Sequence, residues 1–146
     1  MQLKRFTDYA LRVMLFVARH SERTCTMSEI AAQYDISLEH LRKVVHRLAR
    51  LGYLKSARGR GGGISLGRDP AAICVGEVVL AMEGDMSIID CEALACVLLP
   101  GCSLKSALGR AGRAFIAALN EVTLADLLND RQMRRQFRSL NDRARH

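Results

Sequence analysis

Two capped helical segments followed by a glycine-rich ribbon most constrain how this chain can fold. Thr26 and Glu29 have the spacing of a capping box, which predicts a short helix directly after Thr26. Ser37 can cap a second helix over residues 38–51. Two such helices joined by a short turn are typical of a helix-turn-helix. The second helix has an inner apolar stripe at helical spacing, made of Leu38, Leu41, Val44, Val45, Leu48 and Leu51.

The ribbon that follows has a cationic tip. Residues 53–56 and 64–66 alternate like two strands, and Arg58, Arg60 and Gly61 lie between them. Glycine lets a backbone approach a phosphate closely, and arginines can enter a minor groove, where negative potential is concentrated. The tip lacks the Gly-Lys-Ser/Thr ending of a P-loop, and a strand follows it, so nucleotide binding is excluded. The sequence therefore predicts a mainly α protein with a winged helix-turn-helix and a two-stranded wing over residues 1–70.

Charge favours double-stranded DNA as the partner of this module. The formal net charge of the chain is +7, and the outer face of the second helix is basic. A basic helix is often only solvated surface, but the adjoining cationic wing favours DNA binding. The candidate DNA-contacting residues are Ser37, Glu39, His40, Arg42, Lys43, Arg58, Arg60 and Gly61.

Residues 3–20 predict an amphipathic first helix and not a membrane segment. Their apolar run is broken by Asp8, Arg12 and Arg19, which excludes a signal peptide or membrane span, so we expect a cytoplasmic protein. Asp8 and Arg12 are spaced for an exposed ion pair. The histidines are scattered along the chain without the spacing of a nucleophile-base set or a metal hydrolase, so no enzyme is predicted.

Three of the five cysteines lie close together in the second half of the chain. Four residues separate Cys91 from Cys96, and five, including Pro100 and Gly101, separate Cys96 from Cys102. Proline and glycine prevent one continuous helix, so the segment should be a bent loop that can bring its sulfurs together. Without a secretory signal, clustered thiols favour a metal or redox centre over a disulfide. An iron–sulfur cluster, a zinc site and a metal-free redox thiol all remain possible at this point.

The remaining segments predict a linker, a dimerisation region and a tail. Residues 71–104 contain a helix from about Val75 and then the cysteine loop. Ser103 should cap a long helix, and residues 105–130 should form a two-fold dimer interface suited to palindromic DNA. Residues 131–146 are charged and poor in apolar residues, so we expect a disordered basic tail. Cys25 and Cys74 are expected to be small buried residues.

Several strings together resemble the family of winged-helix iron–sulfur repressors that includes IscR and NsrR. They are residues 6–12, the wing at residues 58–67, the cysteine loop ending at residues 100–105, and Thr-Leu-Ala-Asp-Leu at residues 123–127. The cysteine spacing, the residue 123–127 string and the lack of a histidine after Cys102 are closer to the nitric-oxide-sensing members.

This resemblance implies a [4Fe-4S] cluster, with [2Fe-2S] as the alternative, held by Cys91, Cys96 and Cys102, with Asp8 of the partner subunit as fourth ligand. Glu83, Asp85 and Asp90 are rival carboxylates. The implied function is a homodimeric repressor that leaves its palindromic operator when nitric oxide nitrosylates the cluster. The alternative is a related regulator that senses iron–sulfur status or redox state.

Overall fold

The computed structural model describes residues 2–57, 59, 62–84 and 86–143. Within these residues the chain is mainly helical and has one antiparallel sheet of two strands. The predicted fold class is confirmed: the amino-terminal half is a winged helix-turn-helix, and further helices follow it, the longest of them 18 residues long.

The first helix, α1, spans Arg5–Arg19 and is the centre of the fold. Its apolar residues repeat every three or four positions, so one face is apolar along its length. That face is removed from solvent almost completely, and its most deeply buried members are Thr7, Ala10, Val13, Met14 and Val17.

The helix-turn-helix consists of α2, Met27–Tyr34, and α3, Leu38–Arg50. Both predicted caps are present. The Thr26 side chain accepts a hydrogen bond from the Glu29 N–H. In return, the Glu29 carboxylate accepts one from the Thr26 N–H at 2.7 Å. Ser37 Oγ accepts a hydrogen bond from the backbone N–H at the third position of α3. These caps satisfy amide groups that would otherwise lack partners.

The predicted inner stripe of α3 is wrong for one residue, Leu38. Leu38 is 41% exposed, whereas Leu41, Val44 and Leu48 are fully buried. Leu38 is the first residue of the helix, before α3 reaches the core. The stripe therefore begins one turn later than its periodicity predicts.

The wing is formed by β1, Leu54–Ala57, and β2, Gly63–Leu66, which pair antiparallel. It leaves α3 through Gly52, whose φ of 77° is readily adopted only by glycine. The N–H groups of Gly52 and Tyr53 donate to carbonyls in the last turn of α3 at 3.0 Å each, which is a Schellman motif. The wing is therefore attached rigidly to α3 at its base.

Helix α4, Val75–Glu83, and helix α5, Ser103–Asn120, pack against each other and flank the cysteine loop. The predicted cap of α5 is wrong by one residue. Cys102, not Ser103, occupies the N-cap position, and its sulfur accepts the Lys105 N–H at 3.5 Å.

Two further helices end the described chain. Helix α6, Leu124–Asn129, has a capping box between Thr123 and Asp126. The prediction of a disordered tail is wrong for residues 131–143, because Arg131–Arg143 forms α7. The reason is Phe137, which is 8% exposed and holds α7 against the rest of the fold.

The core is one continuous cluster around α1. Helices α3, α4 and α6 and strand β2 all contact α1. Ile73, Val78, Met82 and Leu124, which lie beyond the winged module, belong to the same buried cluster. The cysteine loop therefore begins from a helix that shares its core with the winged helix-turn-helix.

Gly76 allows the close approach of α4 and α5. A Cβ at this position would lie 2.6 Å from the Ile116 carbonyl oxygen and would also collide with Asn120 Oδ1. We therefore expect Gly76→Ala to lower the free energy of unfolding by about 1 to 3 kcal/mol. Urea denaturation would measure the change.

Gly109→Ala is the matched control, because only the flexible Arg113 side chain approaches a Cβ there, at 3.5 Å. Replacing glycine by alanine inside a helix should raise stability by up to about 1 kcal/mol. Equal effects of the two substitutions would contradict the close packing of α4 on α5.

Candidate DNA-binding surface and metal centre

The outer face of α3 is exposed and mainly cationic. Arg42 and Lys43 are exposed, as are Ser37, Glu39 and His40. Lys43 Nζ lies 2.9 Å from Glu39 Oε1, and this hydrogen bond lowers the pKa of the Glu39 carboxyl below its ordinary value. Both side chains are well over half exposed, so the pair can rearrange at little cost. The structure thus places these five predicted residues together on one surface.

His40 connects this surface to α1. Its Nδ1 lies 2.9 Å from Ser37 Oγ, and its ring centroid is 6.4 Å from that of Tyr9. Sequence reasoning missed Tyr9, because nothing in its local pattern distinguishes it from an ordinary amphipathic residue. Its position beside Asp8 joins the first helix to the start of α3.

A groove separates α3 from the wing. It encloses about 690 Å³, with Arg42, Lys43 and His46 on one wall. The wing side includes Ser56, Ala57 and Ile64. Arg58, Arg60 and Gly61, the other predicted DNA contacts, lie outside the described residues.

Cys25 belongs to this groove and not to the cysteine loop. It is fully buried, and it exchanges two backbone hydrogen bonds with Ile64 at 2.8 and 2.7 Å. Burial raises the pKa of the Cys25 thiol above its ordinary value. Cys74, at the N-cap of α4, is half-buried and pairs through its backbone with Thr123. Burial is confirmed fully for Cys25 and in part for Cys74.

The three loop cysteines are free and half-buried. Cys96 N–H donates to the Cys91 carbonyl at 3.1 Å, so these two residues close one turn of the loop. Cys102 lies beyond a short 3₁₀ turn at Leu99–Gly101 and begins α5. The predicted bend in the chain is therefore present.

The described part of the chain does not by itself gather three metal-ligating side chains of the His, Cys, Asp or Glu type. The chemistry of the donors nevertheless fits an iron–sulfur cluster, since the loop carries three free thiols and such clusters are held by thiolates. The Lys105 N–H that already donates to Cys102 Sγ is the kind of hydrogen bond that tunes these clusters.

Asp8 lies apart from these cysteines in sequence, on the outer side of α1. Arg12 Nε donates to its two carboxylate oxygens at 3.0 and 2.9 Å, which confirms the predicted ion pair. The Asp8 side chain is 45% exposed. An ion pair this exposed stabilises the fold by about 1 kcal/mol at most, so the carboxylate can exchange partners.

The surface around the cysteine loop is strongly apolar. Val97 is 91% exposed, and six other large apolar side chains between residues 80 and 104 are also exposed. An apolar patch of this kind usually marks a protein interface. The other exposed members are Leu80, Ile88, Ile89, Leu94, Leu98 and Leu104.

The rival carboxylates have other roles where they are described. Glu83 is buried to 7% exposure and accepts the Lys4 backbone N–H at 2.7 Å. Burial alone would raise the pKa of Glu83, but the nearby Thr7 hydroxyl and the hydrogen bond and charge of Lys4 outweigh it and lower that pKa. Asp90 accepts the Ala93 N–H at 2.9 Å within the loop. Asp85 lies outside the described residues.

The carboxyl end of α4 is a junction that the sequence did not reveal. Helix α4 has no basic residue in its last turn, yet two cations from other elements reach its carbonyl groups. Lys4 Nζ donates to the Glu83 carbonyl at 2.8 Å, and Arg47 of α3 donates to the Ala81 carbonyl at 3.2 Å. Such donors satisfy terminal carbonyls and oppose the negative end of the helix dipole. Helices α3 and α1 are thus both tied to α4, the helix that leads into the cysteine loop.

No helix of the described chain is long and apolar enough to cross a membrane.

Comparisons with known proteins place this geometry among transcriptional regulators. Residues 3–130 match the Rrf2 family, described as "Iron-dependent Transcriptional regulator". A relative from Geobacillus kaustophilus, "HTH-type transcriptional regulator NsrR", is 47% identical over 135 residues, covering 90% of this chain and 92% of the relative. A protein of the same name from Bacillus subtilis is 45% identical over 138 residues, covering 90% and 93%.

Solved structures support the same fold. CymR, "the Global Cysteine Regulator of B. subtilis", superposes with a TM-score of 0.74 at 29% identity and covers 88% of this chain and 96% of its own. T. potens IscR superposes with a TM-score of 0.73 at 26% identity and covers 89% and 88%.

The charged state of Glu83 should stabilise the junction in a pH-dependent way. Its pKa is lowered in the folded protein, so its contribution is complete above the unfolded value of about 4.3 and is lost as pH falls through the folded pKa. We expect Glu83→Gln to cost about 1 to 2 kcal/mol at neutral pH, and the difference from wild type to shrink below pH 4. Urea melts at several pH values would measure it.

Glu39→Gln is the control for this substitution. Glu39 also has a lowered pKa, but its side chain is 77% exposed beside Lys43, so its removal should hardly change stability at any pH. A Glu83→Gln protein as stable as wild type at neutral pH would show that the junction is not stabilised by this charge.

Proposed function

The chain belongs to the Rrf2 family of transcriptional regulators, and we propose that it is a homodimeric repressor whose DNA binding is relieved by nitric oxide through an iron–sulfur cluster. It is a DNA-binding regulator and not an enzyme. The observation that carries the sensing proposal is the position of the three free cysteines. They lie on one bent loop that continues directly from α4. Helix α4 is tied in turn to α3, the proposed recognition helix.

Cys91, Cys96 and Cys102 would hold the cluster, and Asp8 of the partner subunit would complete its ligands. A carboxylate is a poorer ligand for cluster iron than a thiolate, so Asp8 would be the ligand most readily displaced by nitric oxide. Asp8 suits the role of an exchangeable ligand because it is nearly half exposed and bound only by the surface ion pair with Arg12. The nuclearity [4Fe-4S] follows from the resemblance to nitric-oxide-sensing members of the family, with [2Fe-2S] as the alternative.

Dimerisation is supported by the apolar surface that one chain leaves uncovered. The exposed side chains around the cysteine loop continue onto α5 through Leu104. A second copy related by two-fold symmetry would cover this patch and bring its own α1 toward the loop. Such a dimer would present two recognition helices to palindromic DNA about 34 Å apart, one turn of duplex.

Two routes within the chain can couple the cysteine loop to DNA. One runs through the carboxyl end of α4, where Arg47 of α3 binds the Ala81 carbonyl. The other runs from Asp8 to its neighbour Tyr9 and on to the ring of His40. A shift at either end of these contacts moves α3 relative to α1, and that movement separates a DNA-competent dimer from an incompetent one.

The DNA contacts are proposed from both halves of the module. Ser37, Glu39, His40, Arg42 and Lys43 would face base edges or phosphates in the major groove. Arg58, Arg60 and Gly61, which the sequence assigns to the wing tip, would contact the flanking minor groove.

The second candidate is a regulator that senses iron–sulfur supply or redox state, and the similarity to T. potens IscR favours it. Anaerobic DNA binding before and after stoichiometric nitric oxide distinguishes the two functions. A nitric oxide sensor loses affinity for its operator, whereas a sensor of cluster supply responds to cluster loading alone.

Replacing Cys96 should abolish sensing while leaving the fold intact. We expect Cys96→Ala protein, purified without oxygen, to lack the visible absorption of an iron–sulfur cluster and to bind DNA equally with and without nitric oxide. Cys74→Ala is the control, since Cys74 lies outside the loop at the start of α4. Iron and sulfide analysis and an electrophoretic mobility shift would measure both effects. An unaltered nitric oxide response in Cys96→Ala would exclude Cys96 as a ligand.

Replacing Arg42 should weaken DNA binding without affecting the cluster. Arg42 lies on the exposed face of α3, so Arg42→Ala should lower the slope of log affinity against log salt by about 0.9 if it contacts one phosphate. Arg110→Ala is the control, because Arg110 is an equally exposed arginine on α5. Fluorescence anisotropy at several salt concentrations would measure the slopes, and equal losses for the two variants would count against α3 as the reading helix.

A further inference from the structure

Helix α7 has three arginines on one exposed face. Arg131, Arg135 and Arg138 are spaced i, i+4 and i+7, which places them on one side of a helix and within about 11 Å along its axis. All three are exposed, and none forms an ion pair or side-chain hydrogen bond with another described residue. Residues 131–141 contain no acidic residue, but two flank them: Asp130, which caps the helix, and Asp142, which is spaced i, i+4 from Arg138. We call these three residues the arginine stripe.

The opposite face of α7 packs against the rest of the chain. Phe137 is buried, and Met133 and Leu140 on the same side are partly buried. Arg19, at the end of α1, donates to the Phe137 carbonyl at 2.9 Å, and its guanidinium lies 4.8 Å from the Phe137 ring centroid. The helix is therefore held with its arginine stripe outward.

Arg134, a further arginine of α7, has a different role. Arg134 Nη2 donates to Asn129 Oδ1 at 3.0 Å, and its Nε donates to the Leu128 carbonyl at 3.4 Å. Asp130 caps the helix by accepting the Met133 N–H at 2.9 Å. Arg134 thus ties α7 back to α6, whereas the arginine stripe makes no such contact with a side chain that the structure describes.

The end of α1 that anchors α7 also leads to the wing. Six residues after Arg19, Cys25 forms its two backbone hydrogen bonds with Ile64 of β2. Cys25 also lines the groove between the wing and α3. The end of α1 that holds α7 and the residue that pairs with the wing are therefore only six positions apart in the chain.

We propose that the arginine stripe binds the phosphate backbone of duplex DNA flanking the site that α3 reads. This inference rests on the DNA-binding part of the proposed function and not on the cluster. Each strand of duplex DNA has one phosphate per about 3.4 Å of axis, so a length of about 11 Å presents about three phosphates of one strand to the stripe. A lipid surface fits less well, because a helix at a membrane inserts its apolar face, and α7 uses that face to bind α1. Helix α7 begins directly after the residues that match the family, so this contact extends the shared module.

The test is the salt dependence of binding to a labelled random-sequence duplex of about 40 base pairs, roughly four turns. Fluorescence anisotropy would measure the affinity at each salt concentration. Between about 50 and 200 mM KCl, each arginine–phosphate contact contributes about 0.9 to the slope of log affinity against log salt. The combined variant Arg131→Gln, Arg135→Gln and Arg138→Gln should therefore lower the slope by about 2 to 3 for each bound protomer. The corresponding variant with lysine at all three positions should retain the wild-type slope.

Arg134→Gln is the matched control on the same helix. It should leave the slope unchanged and weaken the attachment of α7, which circular dichroism melts would detect. Equal slopes for wild type and the glutamine variant would overturn the inference and leave the proposed function standing. Wild-type protein that bound no duplex at all would instead overturn the DNA-binding function itself. If the glutamine variant kept the wild-type slope on duplex DNA but lost binding to single-stranded RNA or to phosphatidylserine vesicles, the stripe would belong to another partner. That result would also overturn the inference.

Discussion

Burial of helix α1 is the constraint on which the rest of the structure depends. An amphipathic helix has one apolar face to remove from water, and in this chain α3, α4, α6 and strand β2 all pack on that face. Val13, Met14 and Val17, near its middle, are almost completely buried. Because one helix serves all these elements, the DNA-binding module and the segment that leads to the cysteines share a core. They cannot shift independently without disturbing α1.

The carboxyl end of α4 adds a polar connection to this apolar one. A helix end needs donors for its last carbonyls, and α4 has no cation of its own there. Lys4 and Arg47 supply those donors from α1 and α3. The same few residues therefore meet the end of the amino-terminal segment, the recognition helix and the start of the cysteine loop. This is the arrangement that a regulator needs if a change at the loop is to alter DNA reading.

Charge and apolar surface are divided between different sides of the chain. Cations are concentrated on the outer faces of α3 and α7, whereas exposed apolar side chains surround the cysteine loop and the start of α5. A cationic face suits a polyanion, and an exposed apolar patch usually marks a protein interface. Val97 is the most exposed large apolar side chain of that patch.

The sequence by itself determined the elements whose signals are local. The capping box at Thr26, the cap at Ser37 and the apolar repeats predicted the two helices of the helix-turn-helix, because each depends on residues only a few positions apart. It also predicted the bend in the cysteine loop, and the five residues that it assigns to DNA on α3 are exposed. Only the tertiary structure decided what depends on distant residues. Phe137 holds α7 in place by packing against Arg19, and the Glu83 carboxylate accepts a hydrogen bond from Lys4. No local sequence pattern reveals either contact. Gathering of the cysteines with Asp8 is not decided within one chain, since the proposed fourth ligand comes from a second copy.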